Sequence, residues 1–178
     1  MQRLLGKSVL SSFRLERMIK RLSAIEPRVS GLETASVYFV RSVGELNDRA
    51  RAILCELLQG EPEGSSHGWD GLELWVVPRP GTISPWSSKA TDILVGCGLE
   101  ELSRVEKGIR YRIPIQGPIG PDTRQALVAC LHDRMTEAVL FDVEEAERLF
   151  SRAEPARGRR FAVLSEGRQA LEDADREL

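Results

Sequence analysis

The residues best suited to binding an anion lie between Val76 and Ile93, in the stretch VVPRPGTISPWSSKATDI. Three serines and a lysine occur there, where a helix is predicted to begin: Ser84, Ser87, Ser88 and Lys89. The first N–H groups of a helix lack partners within it, and the helix dipole favours negative charge at this end. The stretch has one glycine, however, and its prolines lack the N–H groups of a phosphate-binding loop. The residues therefore favour the alternative, that Ser87 or Ser88 caps the helix.

Other groups that could perform catalysis are few, and their positions predict structural roles. The three cysteines, Cys55, Cys97 and Cys130, fall on apolar faces of predicted helices, where a free cysteine packs as a small hydrophobic residue. Of the two histidines, His67 lies in a Gly/Ser loop and His132 near a helix end, where a structural or capping role is favoured over acid–base catalysis. The sequence contains no CxxC, HExxH or calcium-loop pattern. We predict no catalytic residue and no metal site in this chain.

Composition and charge argue against several classes of partner. The chain is 42% hydrophobic and 29% charged, as in an ordinary globular protein. Its formal net charge of −2 gives no support for binding nucleic acid or an anionic membrane surface. No apolar run approaches the roughly 20 residues that span a bilayer, and the N-terminus lacks the features of a secretory signal. With an odd number of widely spaced cysteines, we expect a cytoplasmic location.

Hydrophobic periodicity predicts the elements that position these residues. Helices are predicted at 12–24, 46–58, 88–97 and 121–136, and strands at 36–43, 72–78, 102–115 and 138–141. Residues 60–71 are predicted to form a loop, and Trp86 is expected to be half buried. This order predicts an α+β fold, in which tandem pseudo-duplicated β-α-β units form antiparallel sheet with the helices on one face.

The strand at 102–115 is predicted to have one apolar and one basic face. Its second half, GIRYRIPI, alternates between apolar residues and arginines. The residues assigned to the basic face are Arg104, Lys107, Arg110 and Arg112. Because exposed aromatic residues are lacking there, a solvated face or contact with an acidic partner is favoured over nucleic-acid binding. Gly108 is predicted to mark a bulge or a bend.

Four collinear strings carry a resemblance to a known family: PRPGTISPWSSKATDI, CGLEELSRVEKGIRYRI, LHDRMTEAV and GRQALEDADREL. They resemble the N-terminus of the large, single-chain form of phosphoribosylformylglycinamidine synthase. The resemblance implies a glutamine-dependent ligase of purine biosynthesis, which uses ATP to convert formylglycinamide ribonucleotide to the amidine. In that family, ATP and Mg²⁺ are bound by the synthetase region, and the cysteine nucleophile belongs to a C-terminal glutaminase. Those residues would lie beyond Leu178, so no cofactor is expected in this chain, which by itself should be inactive.

The resemblance also implies a domain organisation. Residues 1–150 would form the N-terminal domain, similar to a dimer of the small accessory subunit found in split forms of the enzyme. Residues 72–142 would be one copy and residues 36–71 a shortened first copy. Residues 151–178 would be a linker segment and the truncated start of the helical linker domain. The N-terminal domain would bridge the synthetase and glutaminase regions and support ammonia transfer between them.

On this basis, the partners are the synthetase, linker and glutaminase domains of the same enzyme. Candidate docking residues are Arg79, Thr82, Ser84, Trp86, Ser87, Ser88, Lys89, His132 and Arg134. One alternative is a stand-alone adaptor that binds a separately encoded synthetase and glutaminase. Another, which the residues disfavour, is a small enzyme that acts on a phosphorylated ligand at Ser84–Lys89.

Overall fold

The computed structural model of the chain describes residues 1–64, 69, 71–151 and 160–177. Its strands are β1 (Gln2–Gly6), β2 (Glu33–Ser42), β3 (Gly60–Pro62), β4 (Leu72–Pro78), β5 (Leu102–Ile113) and β6 (Glu137–Leu140). Its helices are α1 (Ser12–Ile25), α2 (Asp48–Leu58), α3 (Pro85–Gly96), α4 (Pro121–Ala129), α5 (Val163–Glu166) and α6 (Arg168–Glu177), with a 3-10 helix at Val143–Phe150. All strand pairs are antiparallel, in one sheet of order β3-β1-β2-β5-β4-β6. The predicted α+β class is confirmed.

The sheet consists of two similar halves that meet at the β2–β5 pair. Each half runs strand, helix, strand, helix, strand, and its first strand lies between the other two, as β3-β1-β2 and as β6-β4-β5. The expectation of a shortened first copy at 36–71 is wrong, because the first half begins with β1 at Gln2 and includes α1. The sequence did not predict β1 because only Leu4 of that strand is buried, which leaves no alternating pattern.

Each half of the fold contributes two large helices, and all four lie on one face of the sheet. One helix of each half packs over the strands of the other half. In the first core, Leu94 of α3 packs with α2 over Tyr38 and other residues of the first half. In the second core, Leu22 of α1 packs with α4 over Leu74 and other residues of the second half. Each half therefore buries a helix from the other, and burying one leucine contributes about 1.5–3 kcal/mol. We infer that the halves stabilise each other and unfold together.

Tyr111 of β5 lies in the second core and gives the fold a specific sensitivity to alkaline pH. Burial raises the pKa of its hydroxyl from 10.0 to about 12, and the Glu137 carboxylate adds to the increase. Because the folded-state pKa is raised, this stability is complete below pH 10 and is lost as the pH rises towards 12. Between pH 8 and 11, the wild type should lose about 1.4 kcal/mol more unfolding free energy than Tyr111→Phe. Urea denaturation of both proteins at the two pH values tests this, and equal losses would contradict it.

The opposite face of the sheet is covered in two ways. The 3-10 helix packs Ala146, Leu149 and Phe150 against Phe39 and Trp75. Beside it, the arginines of β5 are paired within the chain, so the expectation of a solvated face or of an acidic partner is wrong. Their pairs are Arg104 with Glu106, Arg110 with Glu63 at 3.3 Å, and Arg112 with Glu73 at 2.7 Å.

Several predicted boundaries and exposures also differ from the structure. α4 ends at Ala129 rather than at 136, because the bonds from Cys130 N to Leu127 O and from Leu131 N to Val128 O tighten its last turn. The short strand β3 occupies residues 60–62 of the range predicted as loop, and residues 65–68 and 70 of that range lie outside the described residues. Ile93 is 52% exposed and Cys97 is also exposed, so α3 buries a narrower stripe than predicted. His67 and residues 152–159 of the predicted linker lie outside the described residues.

Candidate functional site

The loop between β4 and α3 is held against β5 by a buried ion pair. Glu106 is fully buried, and its carboxylate pairs with Arg104. The same carboxylate accepts hydrogen bonds from Ser84 Oγ at 2.9 Å and from Ser84 N at 3.4 Å. Arg104 Nη2 donates to the backbone oxygen of Thr82 at 2.7 Å. The end of this loop therefore has a defined position even though Thr82 itself is exposed.

Ser84 caps α3, and not Ser87 or Ser88. Its Oγ accepts from Ser87 N at 3.0 Å, and Pro85 occupies the first turn of the helix. Proline is favoured at this position because it has no N–H to leave unpaired, so the Ser-Pro pair was the available signal. Ser87 is fully buried, whereas Ser88 and Lys89 are exposed. The Glu106 carboxylate already lies at the start of the helix and takes up the Ser84 donors, which removes the main argument for a phosphorylated ligand there.

Trp86 packs on the sheet through an aromatic stack. Its ring lies 5.8 Å from that of Tyr38, at an angle of 26°. The Lys107 ammonium group lies 5.8 Å from the Tyr38 ring centroid and 6.0 Å from that of Trp86. A cation at this distance is attracted to the negative faces of both rings. Trp86 is 36% exposed, so the prediction of a half-buried anchor is confirmed.

A cleft lies beside this stack on the helical side of the sheet. It comprises two adjoining cavities of about 730 and 480 Å³, both lined by Val9, Trp86 and Lys107, and we call it the central cleft. The pairs Tyr38–Lys107 and Ser36–Ile109 of β2 and β5 contribute to its floor. Of the candidate docking residues, Arg79, Thr82, Ser84 and Trp86 line it. The central cleft therefore lies where the two halves of the fold meet.

The remaining candidates do not line the cleft. His132 Nδ1 lies 2.8 Å from the Val128 carbonyl oxygen at the end of α4, a contact that agrees with the predicted structural role. Arg134 is exposed in the turn that leads to the cleft residues Met135 and Glu137. Within the described ranges, no group of three or more His, Cys, Asp or Glu residues could hold a metal ion. None of the helices described is long and apolar enough to cross a membrane.

Residues 35–150 match the model of the formylglycinamide ribonucleotide amidotransferase N-terminal family. The chain belongs to this family. Three of the four strings lie within the matched range and identified the family correctly, and the match associates the chain with phosphoribosylformylglycinamidine synthase and purine biosynthesis. The fourth string, GRQALEDADREL, lies beyond residue 150 and outside that range. The matched range of this amidotransferase N-terminal domain includes the loop at 79–84 and most of the cleft lining. Lys7 and Val9, which also line the cleft, precede the matched range.

Sequence reasoning missed several residues of the central cleft in this amidotransferase domain. Lys107 was assigned to the basic face of β5, but it lies on the opposite face, against Tyr38 and Trp86. The signal was present, because side chains alternate along a strand and Lys107 is three positions, an odd offset, from both Arg104 and Arg110. Lys7 and Val9 could not be associated with the loop at 79–84, since only the sheet brings the two segments together.

Proposed function

We propose that this chain is the assembly domain of phosphoribosylformylglycinamidine synthase. It docks against the synthetase and glutaminase regions, supports ammonia transfer between them and performs no bond chemistry itself. ATP and Mg²⁺ are bound by other regions of the enzyme. The observation that carries this proposal is the family match at 35–150. The matched range includes the loop at 79–84, which is exposed and is held in position by hydrogen bonds to Glu106 and Arg104.

The loop at 79–84 has the properties of a contact surface. Ile83 is 58% exposed, and Arg79 and Thr82 are exposed beside it. Trp86 and Met135 are also exposed and form a larger apolar patch with Ile83. An exposed apolar patch bordered by polar residues is typical of a protein contact. Because Glu106 and Arg104 hold the loop in place, less conformational entropy is lost when a partner binds.

The alternative is a stand-alone adaptor, and the two complete halves of the fold are compatible with it. In split forms of the enzyme, the small subunit would supply such halves as separate copies. Sequencing the gene beyond the codon for Leu178 separates the two functions. An open reading frame that continues into synthetase sequence supports the assembly domain. A stop codon, with the remaining domains encoded elsewhere, supports the adaptor.

Changes in the first turns of α3, next to the loop at 79–84, should reduce coupling between the domains of the complete enzyme while leaving the fold intact. Trp86→Ala and Lys89→Glu are each expected to lower glutamine-dependent activity about 10-fold, which corresponds to about 1.4 kcal/mol of lost docking energy. Activity with ammonium chloride should fall less, because external ammonia does not need transfer from the glutaminase. Steady-state assays with each nitrogen source provide the measurement.

Lys20→Glu is the matched control, since it makes the same charge change at an exposed position on α1. Circular dichroism of the isolated chain should show that all three variants remain folded. Full glutamine-dependent activity in both test variants would rule out the docking role of this segment.

A further inference from the structure

We propose that the central cleft binds a segment of a partner domain in which a carboxylate is flanked by apolar side chains, and that Lys107 pairs with this carboxylate. This inference rests on the proposed docking function and adds the chemistry of the partner and the residue that recognises it.

The charge of the cleft favours an acidic occupant. Lys7, Arg79 and Lys107 line it, and among the described residues Glu137 is the one carboxylate in the lining. This positive excess occurs in a chain whose formal net charge is −2. The arginines of β5 pair with glutamates, whereas Lys107 forms no ion pair within the described part of the chain. An incoming carboxylate would therefore find an ammonium group that no acidic side chain of the described residues already neutralises.

The rim of the cleft favours a protein segment over a small ligand. Exposed apolar side chains surround the opening: Leu57 is 45% exposed, Ile83 58% and Met135 77%. The two cavities, of about 730 and 480 Å³, share Val9, Trp86 and Lys107 in their lining, so the cleft is longer than either cavity alone. A segment with apolar residues on both sides of its carboxylate would cover this rim.

The floor of the cleft holds the Lys107 ammonium group in position for such a contact. Lys107 is paired with Tyr38 in the central β2–β5 ladder, and its ammonium group lies near both aromatic rings of the Trp86 stack. Covering the cleft would exclude water from this group, and a charge pair is worth more in such an environment than in bulk water. The geometry therefore favours a pair that forms only when the domains are assembled.

Zero-length cross-linking of the complete synthase tests the inference without any substitution. A carbodiimide joins an amine to a carboxylate only when the two are in contact. We expect mass spectrometry to find Lys107 Nζ joined to an Asp or Glu outside residues 1–178, and exposed Lys20 to remain without such a link.

The outcomes separate this inference from the function on which it rests. Cross-links that join other residues of the domain to the rest of the enzyme, but never Lys107, would overturn the cleft assignment and leave docking intact. Cross-links of Lys107 confined to residues 1–178, in the same or a second copy, would also overturn it. If no residue of the domain is linked to the remaining regions, both proposals fail.

A set of variants provides an independent measurement. Lys107→Gln should lower glutamine-dependent activity of the complete enzyme about 10- to 30-fold, as expected for loss of one partner of a desolvated charge pair. Lys107→Arg should restore most of it, because the positive charge remains, and Lys20→Gln should have no effect. Equal activity of Lys107→Gln and Lys20→Gln would contradict the inference.

Discussion

Glu106→Ala is expected to lower the free energy of unfolding of this domain by about 3–5 kcal/mol, because it leaves a largely buried arginine without its partner. Glu106 is fully buried, and the side chain of Arg104 is 15% exposed. The substitution also removes the acceptor for the Ser84 N and Oγ donors. Urea denaturation of the chain, monitored by Trp fluorescence or circular dichroism, gives the measurement.

Glu145→Ala is a suitable control for Glu106→Ala. Its partner Arg148 lies 3.9 Å away, and both side chains are exposed, so the loss should be below about 1 kcal/mol. Hydrogen exchange of the amides at 79–84 should accelerate in Glu106→Ala only. If both substitutions cost the same free energy, the buried pair does not hold the loop.

Gly108→Ala should lower the free energy of unfolding by about 2–3 kcal/mol, as overpacking within a core does. A Cβ at this position would lie 2.8 Å from the Val76 carbonyl oxygen, 3.0 Å from Val77 Cγ1 and 3.2 Å from Val37 Cγ1. The carbonyl belongs to the neighbouring strand β4, so it cannot move away without disturbing the sheet. Thermal or urea unfolding of the variant provides the test.

Gly96→Ala is the matched control for this glycine. Gly96 lies in α3, and a Cβ there would meet no neighbouring atom of the described residues within 4 Å. The same change should therefore raise stability slightly, by no more than about 0.5–1 kcal/mol, because alanine favours the helix and Gly96 is its last residue. If Gly108→Ala lowers the free energy of unfolding and Gly96→Ala raises it, the close approach of the neighbouring strand, and not backbone flexibility, is the reason that residue 108 is a glycine. A neutral or stabilising effect of Gly108→Ala would contradict this explanation.

Gly108 also shows which structural features a local sequence pattern does not predict. The sequence predicted a bulge or bend at Gly108, and a bulge is wrong, since the β2–β5 register continues through the Val37–Gly108 pair. The irregularity in that ladder lies between Arg41 and Ser42 instead. A glycine in a strand indicates only that a side chain is not tolerated, and the reason depends on which strand lies next to it.

The sequence predicted only part of the candidate site, because local patterns do not show which distant residues come together. Composition identified the segment that forms one wall of the cleft, because prolines, serines and Trp86 make it distinct along the chain. The residues that position it, Glu106 and Arg104, are about 20 residues away in sequence, and no local pattern connects them to Ser84. Their pairing depends on how the loop crosses back to β5.

By itself, the sequence determined the family, the α+β class and most of the strands and helices, because these depend on contiguous strings and on periodicities of 2 and 3.6 residues. Only the tertiary structure decided that the first half begins at Gln2, that α1 and α3 exchange between the halves, and that Lys107 faces Trp86. Those features arise from pairings between segments far apart in the chain, which local periodicity does not encode.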